Sequence, residues 1–516
     1  MSDAVGFVSG APGAGSHPCL TAQIGELRLL PGGANPATRK ALTLLQRRPA
    51  LTTETLRLSD GLLVRYSQGG AGTQGSGVEL RPELIAAVRL GIEQARTLLS
   101  GRIGLTPPET VEVVLLDLQA GLHGYLLSAD GRSGRAVIAL DATPDGDGGD
   151  PRRELIHQYA HAVGMAQGAQ FPVAWGEALA TWAEIAVDGV LDPVKSSLIS
   201  RRLARLDEGL FTSDLALAAG NALWLSFLDE AYGADVLRRA VEELAIDSSA
   251  PAAMERALRA STPDGLAAAF REFHLWTLLS GDRADRFHFS FGSALAAPAF
   301  ASTADGFPSL SVQADPAVAS WGAAQVRLDP EDARGGMKVH FEGEFPGRWQ
   351  ADLLLVGKDG SKRRLAFEIP AEGRGATTVP VDEVAEGILL VRNLAGTEVP
   401  PRRYTYAVEG DRQYPFEIVL FEAAPVEMGI TLSWETAVEQ DLVGFNVVRV
   451  REKGGTMVAV NPVWIPALGD GTSATAYHYM DSTAEPGVAY VYRIQGITRK
   501  GLTRLSDPVV ARQAPR

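Results

Sequence analysis

Apolar and polar positions divide the 516-residue chain into a mixed first part and a strand-rich second part. An apolar residue recurs every three or four positions over 82–100, which predicts a helix with one buried face. Short apolar runs at 111–116 and 135–140 predict buried strands, and alternation around an Asp-Gly pair predicts a hairpin over 55–66. Residues 190–282 have a helical pattern throughout. The first part therefore combines a small sheet with many helices.

The pattern changes after residue 285, where apolar and polar residues begin to alternate. Strands are predicted at 337–343 and 349–356, and a Lys-Asp-Gly-Ser turn then leads into a further strand. This spacing favours an antiparallel β-sandwich over 286–412. A second β unit of about 100 residues follows over 413–516. The fold class expected from the whole pattern is a multidomain α+β protein.

Composition narrows the function classes. Hydrophobic residues make up 46% of the chain and charged residues 21%, as in globular proteins. The formal net charge of −14 argues against a nucleic-acid partner. No apolar run is long enough to predict a membrane span, and the first residues lack the pattern of a secretory leader. The single cysteine, Cys19, excludes an internal disulfide and is expected to be a surface thiol in a flexible lead-in over 1–50 that carries one helix near 37–46.

Candidate chemistry begins with two histidines in the sequence HQYAH at 157–161. In a helix, His157 and His161 share one face and lie about 6 Å apart along the axis. Both imidazoles can then reach one metal ion at about 2.0–2.1 Å. The other interpretation is a pair of packed or solvent-facing histidines without a metal.

Local signals predict the helix that carries this pair. Residues 152–163 contain no Gly or Pro, Asp150 is placed to cap the N-terminus, and Pro151 suits the first helical position. Gly164 is expected to end the helix.

A second helix is predicted after Pro172, with the sequence WGEALATWAE over 175–184. Together with HQYAH it resembles the two metal helices of gluzincin metallopeptidases, the thermolysin-like clan. The resemblance implies a zincin-like domain over 51–285 with a helical C-terminal subdomain, and a Zn²⁺ ion whose third ligand is Glu177. It also implies outer contacts to the ligands from Thr181, where the family often has an acid, and from Glu184, which is also an alternative ligand.

The sequence departs from the family at Gln158, where a peptidase has the glutamate that takes a proton from water. Glutamine cannot accept that proton, and loss of a general base typically costs about 10²–10⁴ in rate. Glu154 shares a helix face with both histidines. It is a candidate substitute base or additional ligand, or an ordinary acid in the first turn of the helix.

Two further resemblances extend the picture. Residues 413–516 resemble a fibronectin type III domain, with Trp434 as the core tryptophan and Tyr490 at the tyrosine corner. His123 and Tyr125 lie between the predicted strands, either lining a cleft or in an ordinary loop. The architecture as a whole resembles secreted metalloproteases of soil and environmental bacteria, which implies an extracellular or cell-surface location.

Two functions follow as expectations. The favoured one is a metallopeptidase-like protein that keeps zinc but hydrolyses peptides weakly or not at all, and that binds a protein or peptide in its cleft and a cell-surface polymer through its β domains. The other is an active zinc endopeptidase that uses Glu154, or the metal alone, in place of the missing base. Neither requires a nucleic acid, a membrane span or another cofactor.

Overall fold

A computed structural model defines the fold. It describes residues 21, 54–59, 61–67, 80–116, 118, 123–130, 134–142, 149–168, 171–247, 249–263, 265–305, 308–313, 316–330, 335–345, 347–370, 372–469 and 473–514. The predicted lead-in over 1–50, apart from Thr21, lies outside these residues, as do its helix at 37–46 and Cys19.

The chain forms two compact units. Residues 1–206 and 210–299 belong to the first unit, and residues 207–209 and 300–516 belong to the second. The first unit contains a five-stranded sheet and the described helices, and the second is built from β-sheets. This confirms the mixed α+β multidomain class. None of the described helices is long and apolar enough to cross a membrane.

The first unit alternates strands and helices along the chain. Its strands are β1 Glu54–Ser59, β2 Leu62–Tyr66, β3 Thr110–Leu116, β4 Gly124–Asp130 and β5 Arg135–Asp141. Its helices are α1 Pro82–Arg96, α2 Pro151–Gln167, α3 Val173–Asp188, α4 Pro193–Leu203, α5 Leu215–Ala218, α6 Ala222–Tyr232, α7 Ala234–Ile246, α8 Ala250–Arg259 and α9 Gly265–Leu278. A π-helical turn, Thr97–Arg102, extends α1. The predicted hairpin, the two buried strands and the helix over 82–100 are confirmed.

The sheet of the first unit has the order β1-β2-β3-β5-β4. Strand β3 pairs in parallel with both β2 and β5, and it is buried over Val111–Leu115, as the mostly apolar run predicts. Strand β4 pairs antiparallel to β5 and forms one edge of the sheet. This edge strand lies against α2.

Helix α2 crosses the interior of the first unit. Every residue from Leu155 to Gly164 is buried, so other parts of the protein enclose the helix on all sides in this stretch. It packs against α1, α3 and β4. The prediction that Gly164 ends α2 is wrong. The helix continues to Gln167, and Gly164 is instead a packing position, where an added Cβ would lie 2.7 Å from the Phe171 ring.

The second unit is built from strands β6 Ser302–Asp305, β7 Ser309–Gln313, β8 Gly322–Asp329, β9 Gly336–Gly343, β10 Trp349–Gly357, β11 Lys362–Phe367, β12 Arg374–Pro380, β13 Val384–Asn393, β14 Tyr404–Asp411, β15 Phe416–Val426, β16 Gly429–Glu439, β17 Leu442–Arg451, β18 Val458–Ala459, β19 Ile465–Pro466, β20 Thr475–Asp481, β21 Ala489–Thr498, β22 Thr503–Leu505 and β23 Val509–Arg512. Strands β6 to β14 form sheets of order β11-β10-β13-β8-β6 and β12-β9-β14-β7. The later strands form β15-β16-β20 and β18-β17-β21-β22, with β19 on β17 and β23 on β21.

Each pair of sheets in the second unit encloses its own apolar cluster. In the later pair, Trp434 is 1% exposed and stacks on Tyr477 with ring centroids 5.2 Å apart. The hydroxyl of Tyr490 accepts a hydrogen bond from the backbone N–H of Glu485 at 3.4 Å. Both residues therefore occupy the kind of environment that the sequence predicts for them.

The boundary between the units falls at 299/300, whereas the pattern of apolar and polar residues changes near 285. Residues just after 285 pack on the helices. The ring of Phe289 lies 5.1 Å from that of Trp276 on α9, and Ser290 donates hydrogen bonds to Glu230 on α6. These contacts keep a non-helical segment in the first unit.

Candidate metal centre

Helix α2 is fixed at its start by the predicted cap. The Asp150 carboxylate accepts a hydrogen bond from the backbone N–H of Arg152 at 2.9 Å, and Pro151 opens the helix. His157 and His161 then lie one turn apart in the buried middle of α2. Both side chains point to the same side of the helix, because their Nε2 atoms are 3.2 Å apart.

Helix α3 supplies the third group. It begins after Pro172 and buries Glu177, which is 2% exposed. The residue before it, Gly176, allows the two helices to approach closely, since an added Cβ there would lie 3.0 Å from Nδ1 of His161. The predicted second helix is therefore present, and it brings its carboxylate to the histidine pair.

The three side chains converge on one point. Oε1 of Glu177 lies 3.2 Å from Nε2 of His161, and Oε2 lies 3.7 Å from Nε2 of His157. Ligand atoms about 2.0–2.1 Å from a tetrahedral metal are about 3.3 Å from one another. The observed separations are close to that value, and one ligand atom from each residue lies within 4.8 Å of the others. His157, His161 and Glu177 could therefore hold a metal ion.

Electrostatics favours a cation at this point. Burying a carboxylate such as Glu177 is costly unless positive charge compensates it. The described contacts of its carboxylate include the imidazoles of His157 and His161, which are neutral when they act as metal ligands. Protons on the histidines or a bound metal ion would supply that positive charge, whereas protonation of the carboxyl would remove the need for it.

A carboxylate and a lysine orient the first histidine. Nδ1 of His157 lies 2.7 Å from Oε1 of Glu184, and Nζ of Lys195 lies 2.6 Å from Oε2 of the same carboxylate. An ionised carboxylate can only accept, so His157 donates its Nδ1–H and leaves the Nε2 lone pair facing the cluster. Burial lowers the pKa of Lys195, but the carboxylates of Glu184, Asp192 and Glu154 together more than offset this effect, so the pKa lies above its ordinary value. Lys195 is therefore a cation at neutral pH.

Thr181 and Glu184, both expected near the ligands, differ in what they contact. The Thr181 hydroxyl is buried and has no hydrogen-bond partner among the described residues. Glu184 lies two turns after Glu177. Its carboxylate contacts Nδ1 of His157 and does not belong to the ligand group. The outer contact to a ligand histidine therefore comes from Glu184.

Gln158 is fully buried and bonded through both ends of its amide. Its Nε2 donates to Oε1 of Glu154 at 2.8 Å and to the backbone oxygen of Gly124 at 3.5 Å. Its Oε1 accepts from the Thr21 hydroxyl at 2.6 Å, and that hydroxyl accepts from the backbone N–H of Leu126 at 2.8 Å. Gln158 thereby connects α2 to the edge strand β4 and to Thr21.

Glu154 lies one turn before Gln158 and is not part of the ligand group of the described residues. Burial raises the pKa of its carboxyl, although His157 and the bond from Gln158 act in the opposite direction. His123 is close enough to lower that pKa slightly, and Tyr125 is buried in β4. The described contacts thus join Glu154 to Gln158 and place His123 near this pair, outside the ligand group.

Lys195 and Thr21 are site residues that the sequence reasoning missed. Thr21 lies far from its partners along the chain, so no local pattern indicates its contacts. Lys195 does carry a signal, since Lys40 and Lys195 are the lysines of residues 1–300 while arginines are frequent there. A cation that differs from its neighbours in type suggests a specific partner.

Comparison with known proteins gives little further information. No protein-family model matches the chain, and no curated protein matches it. A solved structure described as a myokine structure is 17% identical and covers 20% of this chain and 99% of its own, with a TM-score of 0.15. The adhesin domain of Epf from Streptococcus pyogenes is 9% identical, covering 38% and 71%, with a TM-score of 0.17. A GH2 β-galacturonidase from Eisenbergiella tayi is 11% identical, covering 36% and 34%, with a TM-score of 0.13. Likenesses this weak carry no argument about fold or function.

Proposed function

We propose that the protein is a zinc-binding, gluzincin-like metallopeptidase relative in which peptide hydrolysis is weak or lost and binding is the main role. The observation that carries this proposal is the convergence of His157, His161 and Glu177 in a buried group of metal-binding geometry. Two imidazoles and one carboxylate form a donor set that catalytic zinc uses in proteins. When bound, zinc would polarise a carbonyl and activate water.

The surroundings of the group support the same proposal. The edge strand β4 lies beside the helix that carries both histidines, as expected for a cleft that receives an extended peptide. Glu184 holds the Nδ1 side of His157, an arrangement common around metal-ligating histidines. In the second unit, the environments of Trp434 and Tyr490 support a fibronectin type III-like module.

Gln158 supports the loss of hydrolysis. An amide cannot take a proton from water at neutral pH, and both of its functional atoms already bind protein groups. The alternative base, Glu154, is poorly placed to take a proton from water at the metal. Its described hydrogen bond is to Gln158, and it lies outside the ligand group. We therefore favour a binding role over an active endopeptidase.

The proposed partners follow from this division of roles. We propose that a protein or peptide binds beside the metal-binding group, along the edge strand β4, and that the β-sheets of the second unit contact a cell-surface polymer. An extracellular or cell-surface location belongs to the same proposal, since spacing and tethering modules of this kind act outside the cell.

Metal analysis tests the ligand set. Protein purified with zinc and dialysed against buffer should retain about one zinc per chain, measured by plasma mass spectrometry. His161→Ala and Glu177→Gln should each lower the zinc affinity strongly, whereas His288→Ala, which removes a histidine outside the ligand group, should not. Retention of iron instead of zinc would identify the group as a different two-histidine, one-carboxylate site. Absence of any bound metal would contradict the proposal.

A side-chain swap tests the missing base. In the existing contact, Gln158 is the donor and Glu154 is the acceptor. Gln158→Glu alone would replace the donor by a second buried carboxylate, which would repel that of Glu154. The double variant Glu154→Gln with Gln158→Glu keeps that hydrogen bond with its direction reversed. It should raise cleavage of a quenched fluorescent peptide library by roughly 10²–10⁴ over wild type, and more than Gln158→Glu alone.

Glu154→Gln alone serves as the control, since it supplies no base at position 158. A wild type that already cleaves as fast as the double variant would overturn the proposed loss of hydrolysis. If Glu154→Gln abolished that cleavage, the substitute-base interpretation would be correct.

A further inference from the structure

Lys195 occupies an unusual place for a lysine. Its side chain is 14% exposed, and its ammonium group lies 2.6 Å from Oε2 of Glu184, whose side chain is 6% exposed. The other oxygen of that carboxylate faces Nδ1 of His157. A single carboxylate therefore joins a lysine on α4 to a candidate metal ligand on α2.

The position of Lys195 is itself fixed by its helix. It is the third residue of α4, and its backbone N–H donates to Oδ1 of Asp192, the N-cap, at 2.9 Å. The second oxygen of Asp192 lies 3.7 Å from the ammonium group of Lys195 and 3.1 Å from Nη1 of Arg153 on α2. The polar contacts thus run from α2 through α4 and α3 and back to His157 on α2.

We propose that Lys195 is a positioning residue for the metal, acting through Glu184 to hold the imidazole of His157 in the orientation that a bound ion requires. This inference rests on the proposed metal centre and adds to it a residue that touches neither metal nor substrate. The physical basis is geometric. A carboxylate held at one oxygen by a fixed ammonium group keeps its other oxygen aimed at Nδ1–H.

Removal of the ammonium group frees this carboxylate. Glu184 would keep one partner, His157, and could rotate away from it or draw water into the space that the lysine leaves. Loss of an outer partner of this kind typically lowers metal affinity by about 10–100-fold. Lys195→Gln should therefore bind zinc about 10–100-fold more weakly than wild type, while Lys195→Arg, which retains the cation, should recover most of the affinity.

The experiment measures zinc affinity by competition with a chromophoric chelator, using the full chain. Arg256→Gln is the matched control, because it removes an exposed cation paired with Glu243 and Asp247 in the same unit. The unfolding temperature of each variant in EDTA shows whether the metal-free protein is folded. A structural role alone would change that temperature and leave the zinc affinity of the folded fraction at the wild-type value.

A double-mutant cycle separates the proposed route from a general electrostatic effect. Glu184→Gln should weaken zinc binding, and adding Lys195→Gln to it should cause little further loss, because both act through one carboxylate. Independent losses that multiply would overturn the inference, as would a Lys195→Gln variant that binds zinc as tightly as wild type. A wild type that binds no metal would instead refute the proposed metal centre itself, so the two failures are distinguishable.

Discussion

Gln158 and Glu154 form one unit at the scale of single residues. The gluzincin resemblance suggests Gln158 as the position of a missing base and Glu154 as a separate candidate. The hydrogen bond of 2.8 Å between them shows that each determines which side chain the other position tolerates. A change at one position alone therefore creates a mismatch in a buried region, either two acceptors or an unsatisfied amide.

The raised pKa of Glu154 gives a pH-dependent prediction. Burial raises the carboxyl pKa of the folded protein above its ordinary value of 4.5, so the folded state binds more protons than the unfolded state above that pH. The contribution of Glu154 to stability is then fully present below the unfolded pKa and is lost as pH rises through the folded pKa. Glu154→Gln keeps an acceptor for Gln158 and removes the buried charge. Its stability relative to wild type should increase with pH across this window, measured by urea unfolding in EDTA.

Glu83→Gln provides the comparison, because Glu83 is an exposed acid in the first turn of α1. This substitution removes a carboxylate that is not buried, so burial cannot contribute to its effect on stability. A constant difference between Glu154→Gln and wild type at every pH would contradict the assigned role of burial.

At the scale of elements, the site depends on how closely β4 and α3 approach α2. Gly124 opens β4 where the strand passes over α2, and an added Cβ would lie 2.8 Å from Cγ and from Oε1 of Glu154. Nothing in the local sequence distinguishes this glycine from one in an ordinary loop. The contact with Glu154 on α2 makes it a packing position.

Gly124→Ala should therefore separate β4 from α2. The expected cost is roughly 1–3 kcal/mol in the free energy of unfolding, as for other overpacked positions, together with a loss of protection from hydrogen exchange in β4. Gly101→Ala is the matched control. An added Cβ at Gly101 would have only one neighbour among the described residues, at 3.9 Å, so this variant should be as stable as wild type or slightly more stable. Equal effects of the two substitutions would argue against the close approach of β4.

Prediction from sequence succeeded where the cause is local. Asp150 and Pro151 start α2 through a side-chain cap and a preset backbone angle, and both act within one turn. Local signals did not predict the end of α2. Gly164 packs against Phe171 and does not cap the helix. Glu184 was expected near the ligands together with Thr181, but only the packing of α3 on α2 shows that Glu184, and not Thr181, contacts His157.

At the scale of the whole molecule, the metal-binding group belongs to one of the two compact units. His157, His161 and Glu177 all lie in the first unit, and the second unit has its own apolar clusters. A ligand that binds only the folded form of one unit stabilises that unit alone. Calorimetry of the full chain should show two transitions, of which zinc raises only one. A free zinc concentration of about 100 times the dissociation constant should raise the free energy of unfolding of that unit by roughly 2.7 kcal/mol.

The His161→Ala variant identifies the transition. It should abolish the zinc-dependent shift and leave the other transition unchanged. An equal shift of both transitions in wild type, or a shift that survives in His161→Ala, would place the bound zinc outside the proposed group.

The sequence by itself determined the mixed α+β class, the change to strands after the helices, and the spacing that puts two histidines on one helix face. These features depend on the periodicity and capping of short segments, which act between neighbours in the chain. Only the tertiary structure decided that Glu177 meets the histidine pair, that Glu184 and Lys195 hold His157, and that Gln158 bonds to Glu154, Thr21 and β4. Most of these contacts join residues that are distant in sequence, and their partners are set by how the helices and the sheet pack together.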